Sequence, residues 1–274
     1  MIIHRLSERP DLLDRMYEVD PGWPEFMGTD PVVNAFFGQV AGTFPHLCAV
    51  ATDASDTVVA TGRAVAFARD LPGRGALPDG GLDRVMVWAF SDRLAGPAPD
   101  TASAVEIAIG PEHRGGGLSH RMLAALRDAA KDAGLTHLMA PVRPNAKHRY
   151  PDLPMARYIT MVREDGLPAD PWLRVHVRAG GKIRQVAPAS MVMAGSLSQW
   201  REWTGLPFDR TGDVIVPEAL VPVALRRGPR SCCLCRAQRL GRACAQRRPT
   251  GLSRPRRHLG IGLAAWRCDL FRLR

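Results

Sequence analysis

The stretch from Val105 to Ala133, VEIAIGPEHRGGGLSHRMLAALRDAAKDA, constrains the fold more than any other part of the chain. Val105, Ile107 and Ile109 alternate with Glu106 and Ala108, which is the period of a strand. Gly110-Pro111 stops that run, and Arg114-Gly115-Gly116-Gly117 follows. Leu118, Met122, Leu126, Ala129, Ala130 and Ala133 then recur at three- and four-residue steps, the apolar stripe of an amphipathic helix. Gly134 stands where a helix C-terminus wants a glycine. The stretch therefore reads as strand, glycine-rich turn, long helix.

That geometry has chemical consequences. Glycines before a helix let a ligand approach the backbone without meeting Cβ atoms. The first N–H groups of a helix lack internal partners and sit at the positive end of its dipole, so a phosphate or pyrophosphate is the natural guest. Arg114 adds a positive charge, and Ser119 adds a hydroxyl in the first turn. Two common phosphate motifs do not fit. The next strand, Thr136 to Val142, ends without the acid a dinucleotide fold needs, and no Gly-Lys-Ser/Thr follows the glycines.

Arg114-Gly115-Gly116-Gly117-Leu118-Ser119 resembles the acetyl-coenzyme A signature of the GNAT N-acetyltransferases, Arg/Gln-x-x-Gly-x-Gly/Ala, with Ser119 in the last position. The resemblance implies an α/β (α+β) fold, with a mixed, mostly antiparallel central sheet flanked by helices on both faces. It implies that N–H groups from Gly115 to Ser119, Leu118 included, hold the pyrophosphate of acetyl-CoA as co-substrate. It further implies that backbone groups of Ile107, Ala108 and Ile109, beside a bulge, pair with pantetheine and polarise the thioester, and that Asn145 holds pantetheine. The segment DPWLRVHVRAGGKIRQVAPASM through WREWTGLPF also resembles a subset of bacterial GNAT proteins, some fused to nitrilase-like domains. Together these resemblances cover roughly residues 100–223.

Two catalytic assignments follow. Glu106 is the one acid on the organising strand, so it is the candidate general base for the acceptor amine, directly or through water. GNAT proteins often carry Ala-x-x-x-Tyr-x-x-x-Gly-Phe, its Tyr acting as general acid on the thiolate. Here Trp172-x-x-x-His176-x-x-x-Gly180 puts His176 at that position, and an unperturbed histidine pKa of about 6.5 suits the task. Tyr150 and Tyr158 are the other candidates for the acid. The activity implied is an acyltransferase moving an acetyl group to a primary amine. An acyl-CoA-binding module without turnover is the alternative.

Along the rest of the chain, a helix is expected from Pro10 through Met16 and another from Asp30-Pro31. His46–Thr52 and Thr57–Ala68 read as a hairpin, and Leu82–Ala95 as a helix. His137–Val142 is a fifth strand, parallel to the organising one. Asp170-Pro171 starts a helix closed by Gly180-Gly181. Lys182–Met193 reads as strand, and Val214–Val216 with Leu220–Val223 as the last strand.

Charge divides the chain in two. Residues 1–225 hold 23 Lys and Arg against 26 acids, net −3. Residues 226–274 hold 14 Arg, one acid and five of the six cysteines, net +13. The first part is the expected acetyltransferase domain. The Arg/Cys-rich tail has the composition of a disordered or frameshift-derived end. Nucleic-acid binding through the tail is the weaker reading, because it has few aromatics for stacking. Cys232 and Cys235 are spaced C-x-x-C, but Cys244, His258 and Cys268 make no matching pair, so no metal is expected. No signal-peptide pattern and no long apolar run is present, so the expectation is a cytoplasmic protein without a membrane partner. The oligomeric state, a homodimer among the options, is left open.

Overall fold

A computed structural model describes residues 1–226 and the backbone of residues 232–236. The strands are β1 (Ile2–Arg5), β2 (Ala49–Thr52), β3 (Val58–Phe67), β4 (Thr101–Ile109), β5 (His137–Met139), β6 (Val192–Ser196), β7 (Gly212–Val214), β8 (Val223–Arg226) and β9 (Cys232–Arg236). The helices are α1 (Pro31–Phe36), α2 (Val40–Thr43), α3 (Gly81–Ala95), α4 (Leu118–Asp132), α5 (Met155–Tyr158), α6 (Pro171–Arg178) and α7 (Leu197–Thr204). None of the helices among the described residues is long and apolar enough to cross a membrane.

The main sheet has the order β1-β2-β3-β4-β5, antiparallel except for the parallel pair β4–β5. All ten residues of β3 are buried, because the sheet is covered on both faces. The alternation of side chains explains how. Ala60, Gly62, Ala64 and Ala66 face α4, and small side chains let that helix come close. A Cβ on Gly62 would stand 3.3 Å from the Leu126 side chain of α4. Arg63, Val65 and Phe67 face the other way, towards α1, α3 and the short 3-10 turns of residues 6–18. Those turns replace the helix expected from Pro10. Leu12 and Met16 are buried as that helix would have them, in pieces of three to five residues. Arg9 and Arg15 both pair with Asp56, on the β2–β3 turn.

α4 buries Leu118, Met122, Leu123, Leu126, Ala129 and Ala130. Its end is a Schellman motif at Gly134 (φ 74°), in which Gly134 N–H bonds Lys131 and Leu135 N–H bonds Ala130. Ala133, expected on the apolar stripe, is exposed at the cap.

The C-terminal strands do not extend the main sheet, as the last expected strand would have done. They form a second, antiparallel sheet of order β6-β9-β8-β7 around Trp200, Phe208, Met193 and Val223, with Phe26 and Met27 contributed by the N-terminal segment. Most of Lys182–Met191 is loop rather than strand. The backbone of Cys232–Arg236 runs between β6 and β8; the remainder of the Arg/Cys-rich tail, with Cys244, His258 and Cys268, lies outside the described residues.

Several bonds tie the two sheets together. Asp30 Oδ2 accepts the N–H of Val192 at 3.0 Å, and Ser190 O accepts the N–H of Asp83 at 3.0 Å. Lys147 Nζ donates to Leu220 O at 2.6 Å, and Arg143 donates to Glu218 O.

Candidate active site

The site begins where two strands part. β4 and β5 pair only over Thr101–Ser103 and His137–Met139. The fifth strand expected to Val142 stops at Met139; two residues on, Pro141 has no N–H to carry a ladder forward. β4 runs on to Ile109, paired only with β3. A cavity of about 1000 Å³ opens in this fork. Its walls come from β4, the turn into α4, the segment after β5, α6 and the loop at residues 218–221.

The glycine turn occupies one end. Gly115 (φ 84°) and Gly117 (φ 77°) are both left-handed, a conformation costly for any residue with a Cβ. Gly117 is the N-cap of α4, and no side chain among the described residues caps the helix; the N–H of His120 returns to Gly117 O at 3.1 Å, which leaves those of Leu118 and Ser119 for a ligand. Gly115, Gly117, Leu118 and Ser119 line the cavity, and so does Arg114, whose Nε donates to Ile109 O at 3.0 Å. Gly116 is not among the lining residues and is not left-handed. Asn145 lines the cavity and is exposed.

On β4, Ile107, Ile109 and Glu106 line the cavity, whereas Ala108 is buried opposite Thr61. The register contains a bulge. Ala64 faces Ala104, yet Arg63 faces Glu106, so Val105 is an extra residue. Glu106, 8% exposed, makes an ion pair with Arg63. Arg63 is held in turn between the rings of Tyr17 and Phe37, 5.0 and 5.2 Å from its guanidinium carbon. Burial pushes the Glu106 carboxyl upward and Arg63 opposes that shift; the net direction is up.

His176, on α6, also lines the cavity. It is 3% exposed, and among the described residues neither ring nitrogen has a hydrogen-bond partner. Trp172, one turn earlier, meets the imidazole edge-on with centroids 4.8 Å apart. Burial, helped by the charge of His120, pushes its pKa down to about 4, so the ring is neutral near pH 7 rather than poised there as an unperturbed histidine would be. His120, in the first turn of α4, also lines the cavity.

The two tyrosines sit elsewhere. Tyr150 is 45% exposed and is not among the lining residues. Tyr158 is buried, and its hydroxyl donates to Asp170 Oδ2 at 2.8 Å, which pushes its pKa up together with burial. Asp170 is a hub that the sequence disclosed only as a cap. Its Oδ1 accepts Trp172 and Leu173 N–H, and its Oδ2 accepts Ala146 N–H as well as the Tyr158 hydroxyl. Those four bonds fix the start of α6, and so His176, against the segment after β5. Arg63 was also missed, because it stands 43 residues before its partner.

Comparison with known proteins gives a family and a fold. The family model described as the acetyltransferase (GNAT) family matches residues 13–150, about half the chain. The arginine N-acetyltransferase avaD of Aspergillus versicolor is 28% identical over 248 residues, covering 79% of this chain and 84% of that protein. Among solved structures, the loading GNATL domain of CurA from Lyngbya majuscula matches with a TM-score of 0.52 at 19% identity, covering 69% of this chain and 93% of that domain. At that identity the likeness shows the fold.

Proposed function

The chain belongs to the acetyltransferase (GNAT) family and is an N-acetyltransferase, and on that premise we propose that its donor is acetyl-CoA and its acceptor an amine of arginine. The acceptor is carried over from the similarity to avaD. The observation that carries the coenzyme assignment is the fork between β4 and β5, with the uncapped N-terminus of α4 at one end of its cavity.

In this reading the pyrophosphate lies on the N–H groups from Gly115 to Ser119, beside Arg114. Pantetheine runs along the β4 edge at Ile107–Ile109, which β5 has left, and reaches Asn145. The chain's main work is positioning amine and thioester together. Glu106 takes a proton from the acceptor ammonium, so an N–H bond breaks and an O–H bond forms. The freed nitrogen attacks the thioester carbon, the C–S bond breaks, and the sulfur leaves with the electron pair. A second N–H proton is then shed by the new amide nitrogen and the sulfur gains one. His176, neutral and with two unpartnered ring nitrogens, can accept at one and donate from the other.

Calorimetric titration of acetyl-CoA into the parent chain and into Gly117→Glu tests the coenzyme site; micromolar binding lost in the variant is the expected result. Mass spectrometry after incubation with arginine and a panel of other amines then tests the acceptor. An acetylated product from arginine supports the reading. Binding without turnover of any amine would favour the acyl-CoA-binding alternative.

A further inference from the structure

The cross-strand pair at the bulge carries a role for a residue outside the family signature. From Ala64 opposite Ala104, an unbulged β4 would place Val105 opposite Arg63 and Glu106 opposite Gly62, on the face that packs against α4. The extra residue Val105 moves Glu106 one place along, so that it meets Arg63 on the other face. Arg63 cannot follow the carboxylate elsewhere, since its side chain is 4% exposed and clasped by Tyr17 and Phe37. A carboxylate as buried as Glu106 resists ionisation unless a cation holds it.

We infer that Arg63 is a positioning residue for acyl transfer: it holds Glu106 ionised and fixed at the cavity wall, where the carboxylate receives the acceptor's proton. This inference rests on the reading of Glu106 as the base. Arg63 itself does not touch the reacting atoms. Among the described residues, Arg63 is the charge that acts on Glu106. Cys48, one residue before β2, is a buried thiol pushed up to about 11, and Tyr17 offers Arg63 a ring face. His120 on α4 and His176 on α6 also line the cavity; burial pushes the latter down to about 4, so its own acid limb must be told apart from that of Glu106.

The test is the pH profile of kcat/KM for the best amine of the panel, with acetyl-CoA saturating, in E106Q, R63M and R63K. E106Q is expected to lose about a hundredfold or more in rate and to lack one acid limb, which identifies the limb that belongs to Glu106. R63M is expected to move that same limb up by about one pH unit or more. R63K, which keeps a cation but not the flat stacked fork, is expected to move it about half as far, and it serves as the test if R63M does not fold. Acetyl-CoA binding by calorimetry is expected to be unchanged in all three. A folded R63M, or failing that a folded R63K, whose melting point drops while the limb stays in place would overturn the inference and leave Arg63 a structural ion pair. An E106Q enzyme with parental rate and limb would instead overturn the base assignment itself.

Discussion

Asp83 lies close enough to Asp30 to feel its charge, yet the two carboxyls are treated in opposite ways. Asp30 is fully buried and accepts the N–H groups of Val32, Val33 and Val192. Asp83 has an oxygen with no partner among the described residues, and burial, then the charge of Asp30, raises its pKa from 3.8 to about 7. The folded state therefore keeps a proton that the unfolded state has lost between those values, so stability from this group falls as pH rises through the window. Asp83→Asn is expected to raise the melting temperature at pH 8 and to have little effect near pH 4. An equal shift at both pH values would show that the site is not charge-strained.

His176 gives the opposite slope. Its folded pKa of about 4 lies below the ordinary histidine value of 6.5, so between them the unfolded state binds more protons. Stability should fall as pH drops through that window, by up to about 1.4 kcal/mol per pH unit. Because Asp83 opposes this trend, the clean comparison is His176→Asn made in the Asp83→Asn background, without coenzyme. Chemical denaturation at several pH values should find a flatter acid slope in the double variant.

Position matters within the glycine turn. Gly117→Val forces a β-branched residue to a φ of 77° at the helix N-cap, and acetyl-CoA affinity should fall about tenfold or more. At Gly116 the backbone is not left-handed and an added Cβ meets nothing within 4 Å, so Gly116→Ala should bind within about threefold of the parent. Calorimetry on the pair checks the contrast; equal losses would mean that the ligand depends on Gly116 as much as on Gly117.

Lys147 is fully buried, with its ammonium bonded to the carbonyls of Tyr150, at 2.7 Å, and Leu220, at 2.6 Å. Burial lowers its pKa, and the carbonyls hold the charged form in place. Lys147→Met would leave the Leu220 carbonyl unpaired and the Tyr150 carbonyl with only the N–H of Leu153, at a cost of about 1–3 kcal/mol. Urea unfolding measures that loss. A cost under about 0.5 kcal/mol would mean that water replaces the ammonium.

How much of this was legible differs from element to element. The core of the main sheet was, because Val105, Ile107 and Ile109 announce a strand by local alternation and α4 announces itself by spacing alone. Asp30 and Asp170 were readable as caps, since Asp-Pro at a helix start has one mechanical meaning. The family resemblance implied a bulge on this strand, but its place at Val105 was not legible, for one inserted residue leaves the local pattern of a strand intact and shows only against its partner. Arg63 and Glu106, like Asp170 and Tyr158, meet by folding across many intervening residues, and no short window contains them. The pKa of His176 was likewise invisible, because residue type gives the ordinary value and burial supplies the change. The second sheet was misread as a last strand because its short segments carry the same alternation whichever sheet they join.

The matched family stretch ends at residue 150, but the cavity does not. Its remaining walls, on α6 and at residues 183–193 and 218–221, belong to the C-terminal part. Asp30 grips the N–H of Val192, Lys147 the carbonyl of Leu220 and Arg143 the carbonyl of Glu218. Each grip closes on main chain, which every residue type possesses. The Leu220 side chain, on the cavity wall, can thus be exchanged through descent without loosening the grip of Lys147, whereas Glu218, at a φ of 62° and paired with His148, is also held by its own side chain, so this wall is free to vary at one place and fixed at its neighbour.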